Sequence, residues 1–130
     1  MMPQPFGRRG IEGRPWHRTG RRIRVQFPRL QRSQTVQVKR VGSLYRFWSQ
    51  LGSGHDLGTP AKRWNWHRLA WRRNAFVDMV AFGMDRKGRP IGFLDQPAST
   101  LEAGELEIYI DTVARECDRF EYVLTGQDRI

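Results

Sequence analysis

The stretch that decides the fold is "STLEAGELEIYIDTVARECDRFEYVLTG", residues 99–126. Leu106, Ile110, Val113, Cys117, Phe120 and Leu124 recur at spacings of 4, 3, 4, 3 and 4, so they fall on one stripe of an α-helix. Glu105, Glu107, Asp111, Arg115, Glu116, Asp118 and Arg119 fill the other sides. Ser99 and Glu102 have the spacing of a capping box, and Gly126 suits a helix stop. An amphipathic helix of this length needs an apolar surface to lie on. The sequence upstream must supply it.

The clearest supply is "FVDMVAFGMDRKGRPIGFLDQP", residues 76–97. Phe76 to Met84 is rich in strand formers, "DRKG" reads as a turn with Gly88 at positive φ, and a second strand runs to Pro97. Apolar residues of both parities in Phe76–Met84 predict a central strand covered on both sides. Earlier in the chain, "QTVQVKR" (34–40) alternates and predicts a strand. "RRIRVQFPRL" (21–30) reads as a short edge strand or an extended tail. "GSLYRFWSQLG" (42–52) predicts a short helix, with Ser43 as cap and Leu44, Phe47, Trp48 and Leu51 on one side. "AKRWNWHRLAWRRN" (61–74) fits no single period, and helix and strand both remain open. The fold class that follows is α+β: a small antiparallel sheet packed by a long C-terminal helix and a short N-terminal helix, with a basic N-terminal arm.

Charge divides the chain. The net charge is +10 over 130 residues. Residues 1–40 hold eleven Lys or Arg and one acid, Glu12, while residues 41–130 hold twelve of each. A basic flexible arm over 1–40, with an edge strand at 34–40, and a single neutral α+β domain over 41–130 are expected. One cysteine, Cys117, excludes an intrachain disulfide and a cysteine-built zinc site. It fits a reducing, cytoplasmic compartment. No apolar run is long enough for a membrane span, and no secretory leader is expected.

No catalytic constellation emerges. His55 and His67 have no second ligand at metal-binding spacing, the serines lack a nucleophile-elbow context, and the glycines form no phosphate loop. No cofactor, metal or enzyme activity is expected. Two binding readings remain. In the first, Trp64, Trp66, Arg68, Phe47 and Trp48 receive a protein partner or a second copy of the chain. On an extended strand Trp64 and Trp66 would share a face with Arg68, and Trp71 would pack toward the core. In the second, Arg8, Arg9, Arg14, Arg18, Arg21, Arg22 and Arg24 of the arm, with the Trp/Arg stretch 62–73, bind RNA through phosphate contacts and ring stacking.

From about Val41 onward the chain resembles YbjN-like and type III secretion chaperone-like domains. The likeness lies in "SLYRFWSQLG", "NWHRLAWRRNAF", the hairpin 76–97 and the closing helix with its "CDRFEYVL" ending. The resemblance implies an α+β domain with helices on one face of its sheet, often dimeric. It also implies non-covalent capture of partner segments without a cofactor.

Overall fold

A computed structural model describes residues 16–51, 60–74 and 79–124. Six strands form one antiparallel sheet: β1 (Trp16–Thr19), β2 (Arg22–Phe27), β3 (Arg32–Val41), β4 (Leu44–Gln50), β5 (Ala81–Met84) and β6 (Pro90–Pro97). Helix α1 (Pro60–Asn74) joins β4 to β5, and helix α2 (Ala103–Leu124) closes the chain. The strand order is β1-β2-β3-β4-β6-β5. The α+β class and the C-terminal helix are as the sequence predicts.

Alternation in β2, β3 and β4 builds the surface that α2 needs. Ile23, Val25, Phe27, Val36, Val38, Tyr45 and Phe47 are buried on one face, where they meet Leu106, Ile110, Val113, Cys117 and Phe120 in a single core. Those five helix positions are at most 2% exposed, so the stripe read from the sequence is the packed face. The side chain of Leu124 lies outside the described residues. Burial of the Cys117 thiol raises its pKa far above the ordinary thiol range, which leaves it protonated and inert. Two polar residues enter this core already satisfied. Gln34 donates to the Ser49 hydroxyl at 2.7 Å and to the Gln50 carbonyl at 3.1 Å, and Ser49 donates to the Thr35 carbonyl at 2.7 Å. The Gln34 amide N–H groups and the Ser49 hydroxyl are thereby matched.

Several expectations need correction. Residues 43–52 are not a helix: Leu44–Gln50 is strand β4, between β3 and β6. Its aromatic residues favour a pleated surface. Tyr45, Phe47 and Ser49 face the core, while Trp48 is half-buried on the far side. Apolar side chains on both sides of an interior strand produced the 3, 4, 7 spacing that imitates a helix.

The boundary at residue 41 also falls in the wrong place. Residues 16–41 form β1, β2 and β3 of the same sheet, and β3 is interior rather than an edge. The cationic residues that suggested an arm alternate with Ile23, Val25, Phe27, Val36 and Val38, so the charge rides on strands. Residues 1–15 of the expected arm lie outside the described residues.

The hairpin turn is as expected. Gly88 has φ +76°, and the Asp85 carboxylate accepts from the Lys87 and Arg89 backbone N–H groups and from the Arg89 guanidinium. Partial burial pushes the Asp85 pKa up, but these bonds outweigh it and hold the carboxyl below the usual range. The first strand, however, is short and lies at the sheet edge. Phe76, Val77 and Asp78 lie outside the described residues. The edge is shielded by Asn74, the last residue of α1. Its amide accepts from the Phe82 N–H at 2.8 Å and donates to the Phe82 carbonyl at 3.2 Å. A side chain thus supplies the two bonds that a neighbouring strand would make.

Helix α2 begins at Ala103, later than the Ser99 cap implies, because residues 98–100 form a 3-10 turn. The Ala98 N–H bonds to the Ser43 carbonyl and holds that turn to the end of β4. The reciprocal bond of the cap shifts one turn along, with the Glu102 N–H donating to Glu105.

Helix and sheet approach closely at Gly92. A Cβ there would collide with the Cys117 sulfur and lie 2.9 Å from the Phe82 ring. Gly92→Ala should therefore destabilise the fold by about 1–3 kcal/mol, the usual cost of overpacking. Cys117→Ala in the same chain should restore part of that loss. Urea melts of the two single variants and the double variant measure the coupling. Strictly additive effects would place the contact elsewhere.

Candidate binding surfaces

Helix α1 settles the ambiguous stretch 61–74. Its inner side holds Trp66 and Ala70, 2% and 4% exposed. Trp66 stacks on Phe120 with ring centroids 5.3 Å apart and planes inclined by 28°. Phe82 meets the same Phe120 edge-on at 4.7 Å, and the Arg73 guanidinium lies 5.6 Å from its centroid. Arg73 also approaches Glu116 at 3.8 Å. One phenylalanine of α2 thus fixes α1 and β5 together.

The opposite side of α1 carries the exposed residues. Trp64 and Trp71 are 72% and 77% exposed. At 100° per residue they and Arg68 fall within about 60° of one another, and the two rings stand about 10 Å apart along the axis. Arg68 is exposed and donates to the Asn65 side chain at 2.9 Å. The helix carries Lys62, Arg63, Arg68, Arg72 and Arg73 and no acid. The reason for the irregular aromatic spacing is now plain: Trp66 faces in, while Trp64 and Trp71 face out.

This arrangement divides the residues proposed for protein binding. Trp64 and Arg68 lie together on the outer side of α1. Trp66 and Phe47 are core residues, the latter 0% exposed. Trp48 is half-buried on the far face of the sheet, remote from the helix core. The expectation that Trp64 and Trp66 share a face fails because the stretch is helical, where residues two apart diverge by about 200°. The expectation that Trp71 packs inward fails because Trp66 already occupies the place beside Phe120. Trp71 is the residue that sequence reasoning missed, and its seven-residue separation from Trp64 was the available signal.

The residues proposed for nucleic-acid binding are also dispersed. Arg8, Arg9 and Arg14 lie outside the described residues. Arg18 donates to the Gly20 carbonyl in the β1–β2 turn, and Arg21 is exposed beside it. Arg22 and Arg24 point to the far face of the sheet, since their neighbours Ile23 and Val25 point to the core. They do not share a surface with Arg68, because α1 packs on the α2 side.

The acidic residues of α2 are not a solvated stripe throughout. Asp118, with a side chain 4% exposed, pairs with Arg32 through Nε at 3.0 Å and Nη2 at 2.7 Å. That hydrogen bond holds the Arg32 pKa above its ordinary value against the effect of burial. Asp111 and Glu116 are buried as well. His67 is exposed on α1, and His55 lies outside the described residues. Among the described residues no cluster of three or more His, Cys, Asp or Glu could hold a metal. Nor is any helix long and apolar enough to cross a membrane. No protein-family model matches the chain, and no curated protein matches it.

The two sides of α1 should respond to mutation very differently. Trp66→Ala should cost about 3–5 kcal/mol, the range for a large buried aromatic. Trp71→Ala should stay within about 0.5 kcal/mol of the parent, as exposed positions do. Thermal melts followed by circular dichroism compare them. Equal losses would contradict the assignment of sides.

Proposed function

We propose that this chain is a non-enzymatic binding domain that captures an acidic, amphipathic segment of a partner protein on the outer side of α1. The observation that carries this reading is the pair Trp64 and Trp71, exposed one above the other on a helix whose inner side is locked into the core. Tryptophan and arginine are the residue types that most often dominate protein interfaces. Anchors at i and i+7 match the spacing by which a helix engages an apolar groove or a second helix. Arg68 beside the two rings, and the absence of any acid on α1, favour a partner rich in Asp and Glu. Because Trp66 fixes α1 in advance, little ordering remains to oppose binding.

The resemblance to YbjN-like and type III secretion chaperone-like domains favours the same kind of work, capture of a protein segment without a cofactor. A reducing cytoplasm suits the single buried thiol, Cys117. A second copy of this chain is a particular case of such a partner. The exposed Ile108 of α2, which follows Glu105 and Glu107 in the sequence, offers an apolar and acidic counterpart.

The test uses an amphipathic helical peptide with Leu on one side and Glu on the other, and its counterpart with Lys for Glu. Calorimetric titration of the full chain should detect the acidic peptide and not the basic one. Trp64→Ala with Trp71→Ala should weaken binding by about tenfold or more without lowering the melting temperature. Sedimentation of the same double variant shows whether self-association disappears, which would name a second copy as the partner. Unchanged peptide affinity together with unchanged association would refute the assignment of α1.

A further inference from the structure

The far face of the sheet is built from different chemistry. Strand register places Thr19, Arg22, Gln37, Trp48, Phe93 and Ala81 in one row across all six strands. Trp48 and Phe93 are direct partners in that row, so their side chains leave the same face of the sheet at adjacent positions. The next row on one side pairs Lys39, Arg46 and Asp95. The next on the other side pairs Arg24 with Thr35. Lys39 Nζ lies 5.9 Å from the Trp48 ring, and the Arg46 guanidinium 4.8 Å from that of Phe93. A cleft of about 460 Å³ opens here, lined by Arg22, Thr35, Gln37, Trp48, Gln50 and Arg89 among others.

The charges on this face do not cancel. Asp95 is bonded twice by Arg46 at 2.8 Å, and Asp85 is taken by Arg89. Glu121 of α2 reaches the end of the cleft. Arg22, Arg24 and Lys39 are exposed and make no ion pair among the described residues. Residues 16–41 carry eight Lys or Arg and no acid. Gln37 and Thr35 add amide and hydroxyl groups.

We infer that this face binds single-stranded nucleic acid, with Trp48 and Phe93 as a stacking platform and Arg22, Arg24 and Lys39 as phosphate contacts. Adjacent rings on a sheet, bordered by cations and amides, supply what unpaired bases and their backbone require. Around the two rings the rows hold Arg22, Gln37, Lys39, Arg46, Arg24 and Thr35, and the apolar Val41, Leu44 and Pro97 lie together in a row farther along. The surface is separate from the outer side of α1, so the two proposals stand or fall independently.

The test is fluorescence anisotropy of the full chain with labelled twelve-nucleotide oligo(U) and oligo(dT), at low and moderate salt. The expected result is binding that weakens steeply with salt. Arg22→Gln, Arg24→Gln and Lys39→Gln together should lower affinity and reduce the slope of log affinity against log salt by about 2, the share of three phosphates on a single strand. Trp48→Leu should weaken binding about tenfold, the scale of one stacked base, while Trp48→Phe keeps a ring and should restore most of it. Trp64→Ala with Trp71→Ala should leave the affinity unchanged. Melting curves identify any variant that fails to fold, and the Trp48→Phe and Trp48→Leu pair then decides on ring chemistry alone. The inference is overturned if the triple variant binds with unaltered affinity and slope. It is equally overturned if the chain binds phosphatidylglycerol vesicles through these residues and neither oligonucleotide.

Discussion

The contact on which the rest of this structure depends is the ring of Phe120. Trp66 stacks on it from α1, and Phe82 meets its edge from β5. Without it α1 would have little to hold it, since only Trp66 and Ala70 of that helix are buried. The long helix lies on the sheet through Leu106, Ile110, Val113 and Cys117, and Phe120 extends the same stripe to a third element. Asn74 completes the attachment by bonding both backbone groups of Phe82. A helix held on its inner side by Trp66, Ala70, Arg73 and Asn74 leaves its outer side to solvent. That explains how fifteen residues with five cations and two exposed tryptophans persist on a folded domain.

Charge is segregated by element rather than by segment. Cations crowd β1–β3 and α1, and carboxylates crowd α2. Where the two meet, Arg32 bonds Asp118 and Arg73 approaches Glu116. Such partly buried pairs fix geometry more than they add stability, because desolvation offsets much of their attraction. What remains is cationic surface in two places, the outer side of α1 and the far face of the sheet. The ring chemistry of the two differs. On α1 the tryptophans stand about 10 Å apart along a helix, which suits the proposed protein partner. On the sheet Trp48 and Phe93 are direct cross-strand partners, about 5 Å apart at Cβ, which suits the proposed stacking of bases.

The long helix was legible because its six apolar positions obey one period without interruption and its polar positions leave no alternative. The turn at Asp85–Gly88 was legible because Gly88 alone satisfies the positive φ there. Strand β4 was misread because an interior strand with Tyr45 and Phe47 on one side and Trp48 on the other has no period-2 signature. The strands of 16–41 were hidden under their own charge, since Arg22, Arg24 and Lys39 occupy the positions between the core residues. The Trp stretch could not be divided from sequence alone. Which of three tryptophans turns inward depends on Phe120, more than fifty residues away, and no local pattern carries that information.

The central claim is that one tryptophan of α1 anchors the helix while two face solvent. Acrylamide quenching of tryptophan fluorescence, in a Trp16→Phe background, tests it directly. Replacing Trp64 and Trp71 with Phe should remove most of the readily quenched emission and leave the shielded, blue-shifted signal of Trp66 beside the intermediate one of half-buried Trp48. Replacing Trp66 with Phe should leave the readily quenched emission in place. The opposite outcome, with quenching unaffected by loss of Trp64 and Trp71 and reduced by loss of Trp66, would contradict the account.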